Sequence, residues 1–224
     1  LIDFLNQGLL DHSNNTFFKN IFKLPQGSIF EGNLSSRKFI VNKWFDPSNL
    51  IKDANQVLFN ESYKNKIELV KSSLTEILEE SLISNYKIAL NLSNGVDSAL
   101  IQTLMYLLEM HYNSYTQFYD DYIDPVSEQA PEWLYRKRKK IYITPEKILE
   151  NINTTHFFQE EPYSGLFING YSILYQNARQ DGYRVFLDAN GLDEFFLGYK
   201  KYIMNNYPTV EGYQSIDNSY MGSK

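Results

Sequence analysis

The sequence contains no cysteine, and this absence removes several classes of protein at once. Without thiols the chain has no disulfide, no thiolate metal site and no cysteine nucleophile. It also has no apolar run close to the roughly 20 residues that a membrane-spanning helix needs, and no signal-peptide pattern opens it. These absences favour a protein of the reducing cytoplasm that has no membrane partner.

An excess of positive charge is missing as well. The formal net charge is −6 over 224 residues, so the composition does not indicate nucleic-acid binding. Hydrophobic residues make up 43% of the chain, which is enough for a domain with a substantial core. We therefore expect a globular protein whose ligand is a small molecule.

What the sequence does contain is an apolar strand that ends in a polar turn and continues into a helix. Residues 88–98 read Ile-Ala-Leu-Asn-Leu-Ser-Asn-Gly-Val-Asp-Ser. The backbone N–H groups and the dipole at such a helix start attract anions. Ser93 and Ser98 add hydroxyls, and Asp97 adds a carboxylate suited to holding Mg²⁺ against a phosphate. The pattern predicts a phosphate or pyrophosphate site, and the alternative is an ordinary capped turn.

A second unit of this kind lies near the end of the chain. Residues 184–187 form a short apolar strand that runs into the acidic loop 188–194. In a parallel sheet the carboxyl ends of the strands lie at one edge, where charged ligands bind. We therefore expect Asp97 and Asp193 to ligate one Mg²⁺ from opposite sides, with two solvated turns as the alternative.

The rest of the chain predicts alternating strands and helices. Residues 27–44 indicate a hairpin, and residues 61–83 carry an apolar helical stripe that we interpret as core packing. A basic run at 136–140 is interpreted as the solvated end of a helix that begins at Pro131, with a phosphate or partner site as the alternative. The expected sheet is parallel and belongs to an α/β fold; its strands are residues 88–92, 114–119, 141–144 and 184–187.

Two ordered motifs resemble those of the asparagine synthetase family. Residues 92–98 resemble its pyrophosphate loop, S-G-G-x-D-S, and residues 188–199 resemble its second signature, S-G-[ED]-G-x-D-E-x-x-x-G-Y. Between them, Glu161-Pro162 and a helix-like segment over 167–181 resemble the family's E-P element and the helix after it. The resemblance implies an adenine-nucleotide alpha-hydrolase-like α/β domain, the PP-loop ATP pyrophosphatase type.

The resemblance extends upstream of these motifs. Residues 24–27 and 39–47 resemble the end of the family's glutaminase domain and its passage into the synthetase domain. It implies a β-rich glutaminase remnant with a linker over 1–50 and an ATP-binding domain over 51–224. The family's glutaminase uses an N-terminal cysteine, whereas this chain opens with Leu1. We expect either a fragment of a longer protein or ammonia supplied by a separate glutaminase domain or chain.

The resemblance also implies a reaction with ATP and Mg²⁺ as cofactors. A carboxylate attacks the α-phosphorus of ATP, and ammonia then displaces AMP to give an amide. Aspartate is the first expected acceptor, and the carboxylate of a sugar, a peptide or a β-lactam precursor is the alternative. A non-catalytic ATP-binding or accessory protein is the second class of function.

The same resemblance assigns the site residues. Those expected at the nucleotide are Leu92, Ser93, Asn94, Gly95, Val96, Asp97, Ser98, Asp188, Ala189 and Gly191. The expected Mg²⁺ ligands are Asp97 and Asp193, and the expected catalytic residues are Asp97, Asn190 and Glu194.

Four residues depart from the family pattern. Asn94 replaces a glycine, although asparagine tolerates a positive φ best after glycine. Asp188-Ala189 replaces serine-glycine, so Asp188 brings a negative charge to a place where a nucleotide approaches. Asn190 replaces an acidic residue and cannot act as a base at neutral pH. The motifs thus predict binding of MgATP, while these departures weaken the expectation of aspartate-to-asparagine turnover.

Overall fold

A computed structural model describes residues 1–48, 50, 60–119, 138–163, 165–196 and 198–199. The chain divides into two compact units. The first unit comprises Leu1–Ile83, Gln117–Asp121 and Ile141–Gln180, and the second comprises Ser84–Thr116, Tyr122–Lys140 and Asp181–Lys224. The expected domain boundary at residue 50 stays a prediction. None of the described helices is long and apolar enough to cross a membrane.

The first unit opens with a short helix and a hairpin. Helix α1 spans Ile2–Gln7 and was not expected from the sequence. Strands β1 (Ser28–Asn33) and β2 (Lys38–Lys43) pair antiparallel, with Phe30 opposite Val41. The hairpin predicted for residues 27–44 is therefore confirmed.

The long helix of the first unit forms where its apolar stripe predicts it. Helix α2 spans Tyr63–Ser81, and the hydroxyl of its N-cap Ser62 accepts a hydrogen bond from a backbone N–H of the first turn. Leu78 is its one buried residue, and Ile77 is 58% exposed. The expectation that the whole stripe packs in the core is wrong, because an amphipathic pattern defines an apolar face without ensuring that another element covers it.

A polar network joins the last two helices of the first unit. Helix α4 (Pro145–Gln159) starts at the N-cap Thr144, and helix α5 (Phe167–Gln180) follows it, as the sequence predicts for residues 167–181. The Asn151 amide donates to the hydroxyl of Ser172 at 2.9 Å. The two helices thus pair through side-chain hydrogen bonds.

A four-stranded sheet confirms the predicted α/β class. Its strands are β3 (Ile88–Asn91), β4 (Asn113–Tyr119), β5 (Arg138–Ile143) and β6 (Val185–Leu187). Their order in the sheet is β5-β4-β3-β6, and β3 pairs in parallel with both of its neighbours. Helix α3 (Val96–Leu107) directly follows β3 and leads to β4.

The basic run has a different structure from the one expected. Residues 138–140 begin β5 instead of ending a helix, so that prediction is wrong for them, while 131–137 lie outside the described residues. Ile141 and Ile143 are buried, whereas Tyr142 between them is 53% exposed. This period of two belongs to a strand with one covered face, and it outweighs the helical interpretation of the charged residues.

Candidate functional site

The parallel pairing of β3 with β6 places the two motif loops at the same edge of the sheet. Leu90 is the register partner of Leu187, and both strands run in the same direction. The chain therefore leaves β3 into residues 92–98 and leaves β6 into residues 188–193 as neighbours. The two loops expected to share a ligand lie together within the second unit.

The first loop is anchored to β4 by its first residue. The backbone N–H of Leu92 donates to the carbonyl of Tyr115 at 2.9 Å, and the hydroxyl of Thr116 donates to the carbonyl of Leu92 at 2.6 Å. Leu92 is 2% exposed, so its side chain belongs to the core. A rigid sheet thereby fixes the start of the loop.

The two serines of the loop stabilise its conformation through hydrogen bonds within the loop. The Ser98 hydroxyl is 2.9 Å from that of Ser93 and lies 3.0 Å from the Ser93 carbonyl and 3.1 Å from the Gly95 carbonyl. The Gly95 N–H donates to the Ser93 hydroxyl at 3.1 Å. A Cβ at Gly95 would come within 3.2 Å of that hydroxyl, a tight contact that would require the hydroxyl to shift. Ser98 is 2% exposed, so we assign it to the shape of the loop.

The helix start keeps its backbone donors available. Helix α3 begins at Val96, which is 75% exposed, and its N-cap Gly95 makes no side-chain cap. Asn94 is not among the described residues with positive φ, so the glycine-to-asparagine change at this position requires no left-handed backbone. The first-turn N–H groups and the dipole of a twelve-residue helix can therefore face an anion.

The acidic residues of the two loops meet. Burial raises the pKa of the Asp97 carboxyl, and the negative charge of Asp193, a hydrogen bond with Asp193 and the negative charge of Glu194 raise it further. Two neighbouring carboxylates repel when both are ionised. A bound cation would relieve that repulsion.

Two glycines shape the second loop. Gly191 precedes the short helix α6 (Leu192–Phe195) and has φ 99°, a conformation that a side chain makes costly. The Gly198 N–H donates to the Asp193 carbonyl at 2.8 Å, and a Cβ at Gly198 would collide with the Asp193 carboxylate. Gly198 therefore leaves the space that the Asp193 side chain occupies.

Asp188 is partly buried and accepts two hydrogen bonds within the protein. One carboxylate oxygen accepts a hydrogen bond from the Asn91 amide at 2.6 Å, and the other accepts from the Asn190 backbone N–H at 2.9 Å. The Leu192 N–H donates to the carbonyl of Ala189 at 3.4 Å and closes the turn. The negative charge that departs from the family pattern is thus held by neighbouring donors.

The E-P element lies in the first unit and carries an ion pair. The Lys23 ammonium is 3.0 Å from a Glu161 carboxylate oxygen and 2.6 Å from one of Asp11. The hydrogen bonds to Asp11 and Glu161 raise the pKa of Lys23. This pair links two segments that are far apart in the sequence.

The structure brings together three of the expected catalytic and metal-binding residues. Asp97, Asp193 and Glu194 lie close enough for their charges to interact, whereas the side chain of Asn190 is exposed beside them. The roles of all of these residues stay predictions.

Sequence reasoning missed Asn91 and Gly198 as parts of the site. The only signal for Asn91 is a polar residue at the end of an apolar strand, and its partner is distant in sequence. Gly198 belongs to the second motif. The need for glycine there follows from the collision that a Cβ would make with the Asp193 carboxylate, and this contact exists only in the folded loop.

The acidic pair fits a Mg²⁺ ion that arrives with phosphates. Among the described residues no group of three or more His, Asp or Glu side chains is arranged to hold a metal by itself. Protein Mg²⁺ sites commonly use one or two carboxylates and leave the remaining positions to water and substrate phosphate. Asp97 and Asp193 supply such a pair, and Mg²⁺ would neutralise the repulsion between them.

Comparison with known proteins identifies the family. A family model described as asparagine synthase matches residues 69–214, which is more than half of the chain. The comparison with curated proteins gave no match. The chain belongs to the asparagine synthase family. Membership supports ATP-dependent amide formation from small-molecule substrates as the general chemistry.

Proposed function

We propose that this member of the asparagine synthase family binds MgATP between residues 92–98 and 188–193 and uses it to convert a carboxylate into an amide. The observation that carries the proposal is the meeting of the Asp97 and Asp193 carboxylates at the ends of the parallel strands β3 and β6. Aspartate is the proposed acceptor. The carboxylates of a sugar, a peptide or a β-lactam precursor are alternatives within the same chemistry.

The pyrophosphate half of ATP would lie against the start of helix α3. The N–H groups of its first turn donate to phosphate oxygens, and the dipole favours the negative charge. Ser93 and Ser98 keep this loop in shape through their mutual hydrogen bonds. Leu92 and the backbone at Asp188 and Ala189 would lie near the adenosine.

Asp97 and Asp193 would hold Mg²⁺ against the phosphates. When bound, the ion neutralises the charge that develops as pyrophosphate leaves. The raised pKa of Asp97 means that metal binding must displace a proton at low pH. We therefore expect MgATP affinity to fall as the solution becomes acidic.

The reaction balances in two steps. The acceptor carboxylate oxygen attacks the α-phosphorus, and the bond to pyrophosphate breaks to give an acyl-adenylate. Ammonia then attacks the acyl carbon, the bond to AMP breaks, and the nitrogen loses a proton. Glu194, the exposed carboxylate beside Asp193, is the proposed acceptor of that proton, because the Asn190 amide can only donate or accept hydrogen bonds.

The second candidate function is a non-catalytic ATP-binding or accessory protein. The exposed Asn190, at a position where the family carries an acid, is the observation that favours it. In either case the proposal includes a cytoplasmic location and no nucleic-acid or membrane partner. Ammonia would come from solution or from a separate glutaminase domain or chain.

ATP–pyrophosphate exchange tests the proposal. We expect Mg²⁺-dependent exchange when aspartate is present and loss of exchange in D193N. The matched control is E79Q, which removes one negative charge from helix α2 in the other unit. Exchange with another carboxylate reassigns the acceptor. Binding of MgATP without exchange for any carboxylate supports the accessory function, and failure to bind MgATP refutes both.

A further inference from the structure

The last residue of β3 lies beside the residue that directly follows β6. Since Leu90 is opposite Leu187, the next residues along the two parallel segments are Asn91 and Asp188. Their side chains meet at 2.6 Å, where the Asn91 amide donates to one carboxylate oxygen of Asp188. Asn91 is 8% exposed, so this hydrogen bond is largely shielded from water. The pair lies where both motif loops leave the sheet.

The same carboxylate also holds the second loop. Its other oxygen accepts from the backbone N–H of Asn190 at 2.9 Å, two residues further along the chain. The loop then turns at Gly191, with φ 99°, and reaches Asp193 in the first turn of α6. The Asp188 carboxylate is therefore hydrogen-bonded both to β3, the strand before the first loop, and to the backbone that leads to Asp193.

We infer that Asn91 and Asp188 are a positioning pair that holds the loop carrying Asp193 against the loop carrying Asp97. This inference rests on the proposed MgATP site. Each side-chain oxygen of Asp188 accepts a hydrogen bond from the protein, so the carboxylate acts through the loop, and it is the backbone of Asp188 that the proposed function places near the adenosine. A serine, which the family motif has at this position, offers a single oxygen and cannot give each donor its own acceptor.

Three variants of the whole chain test the pair, with MgATP affinity measured by calorimetry and stability by thermal unfolding. D188A removes both acceptors, and N91D sets two carboxylates against each other. The swap N91D/D188N keeps both hydrogen bonds, because the new amide at 188 donates to residue 91 while its oxygen accepts from Asn190. We expect the Kd for MgATP to rise about 10- to 100-fold in each single variant, as for other groups that orient metal ligands. The swap should return it close to the wild-type Kd.

Asp181 provides a matched control in the same unit. Its carboxylate also accepts two hydrogen bonds, from the Tyr115 hydroxyl at 2.7 Å and from Lys139 at 2.6 Å, but it lies outside both motif loops. D181A should lower the unfolding temperature and leave the Kd for MgATP unchanged. This control shows whether a rise in the Kd for MgATP follows from losing any hydrogen-bonded carboxylate of this unit or specifically from losing the one that positions the second loop.

The outcomes are distinguishable. A D188A variant that loses stability but keeps its affinity, or that binds MgATP more tightly, overturns the positioning role. A swap variant that binds MgATP as weakly as N91D also overturns the positioning role. If D188A does not fold, the comparison of N91D with the swap variant still tests that role. A wild-type chain that fails to bind MgATP overturns the proposed function, whereas wild-type binding with unchanged variants overturns this inference alone.

Discussion

The repulsion between Asp97 and Asp193 predicts an effect of D193N on the ligand-free protein. This substitution should weaken MgATP binding, yet it should raise the free energy of unfolding when no ligand is bound. Burial raises the pKa of Asp97, and the negative charge of Asp193, a hydrogen bond with Asp193 and the negative charge of Glu194 raise it further. Replacing Asp193 by asparagine removes one charge of the pair and keeps the shape. The ligand-free D193N variant should therefore be more stable than the wild type at pH 7.

The magnitude follows from Coulomb's law. Two unit charges about 4 Å apart repel by about 1 kcal/mol in water and by about 4 kcal/mol at an effective dielectric constant near 20. Because Asp97 and Asp193 are partly exposed, we take the lower figure. In a chain of this length about 1 kcal/mol raises the unfolding temperature by roughly 2–4 °C.

The pH dependence has a defined sign. The pKa of Asp97 is higher in the folded protein than its ordinary value of 3.8, so the folded state holds the proton more tightly than the unfolded chain. This contribution to stability is complete below the ordinary pKa and is lost as the pH rises through the raised one. In D193N the loss should be smaller, because burial and Glu194 still act on Asp97.

Calorimetric unfolding without and with Mg²⁺ is the assay. In EDTA at pH 7 and low salt, D193N should unfold at a higher temperature than the wild type, and added salt should shrink the difference. Mg²⁺ should stabilise the wild type and have little effect on D193N. The control E79Q should respond to Mg²⁺ as the wild type does. A D193N variant that is less stable without metal, or that Mg²⁺ stabilises as strongly as the wild type, refutes the reasoning.

Three further predictions concern neighbouring contacts. G198A places a methyl group against the Asp193 carboxylate, so we expect weaker MgATP binding by calorimetry, and unchanged affinity would contradict the role given to this glycine. S98A removes the buried hydroxyl that braces the first loop and should cost about 1–3 kcal/mol in urea unfolding. Y115F removes the hydroxyl that donates to Asp181 and should cost about 1 kcal/mol of stability with no change in MgATP affinity.

The strands that form the site are predictable because their apolar runs are short and end abruptly. Ile88–Asn91 is buried throughout, as a strand in the middle of a parallel sheet should be. The basic residues at 138–140 mislead because local charge indicates a helix end, while the burial of Ile141 and Ile143 favours a strand. Secondary structure here depends on contacts that a local pattern does not contain.

The side-chain contacts of the site are less predictable than its loops. The position of Asn91 against Asp188 depends on strand register, which is set by pairing between segments almost a hundred residues apart. The space beside Gly198 depends on how the loop folds back on Asp193. A motif predicts which residue types are present, and the folded chain decides which atoms they meet.

Two of the substitutions in the second motif have opposite consequences. Asp188 looks unfavourable for a nucleotide site in the sequence, yet donors on Asn91 and Asn190 engage both of its oxygens, so protein hydrogen bonds stabilise this carboxylate in the folded loop. Asn190 has no such compensation, because no neighbouring donor can make its amide a base at neutral pH. In the proposed mechanism, binding and turnover therefore depend on different residues. There, affinity for MgATP depends on Asp97 and Asp193, while Glu194 accepts the proton from the nucleophile.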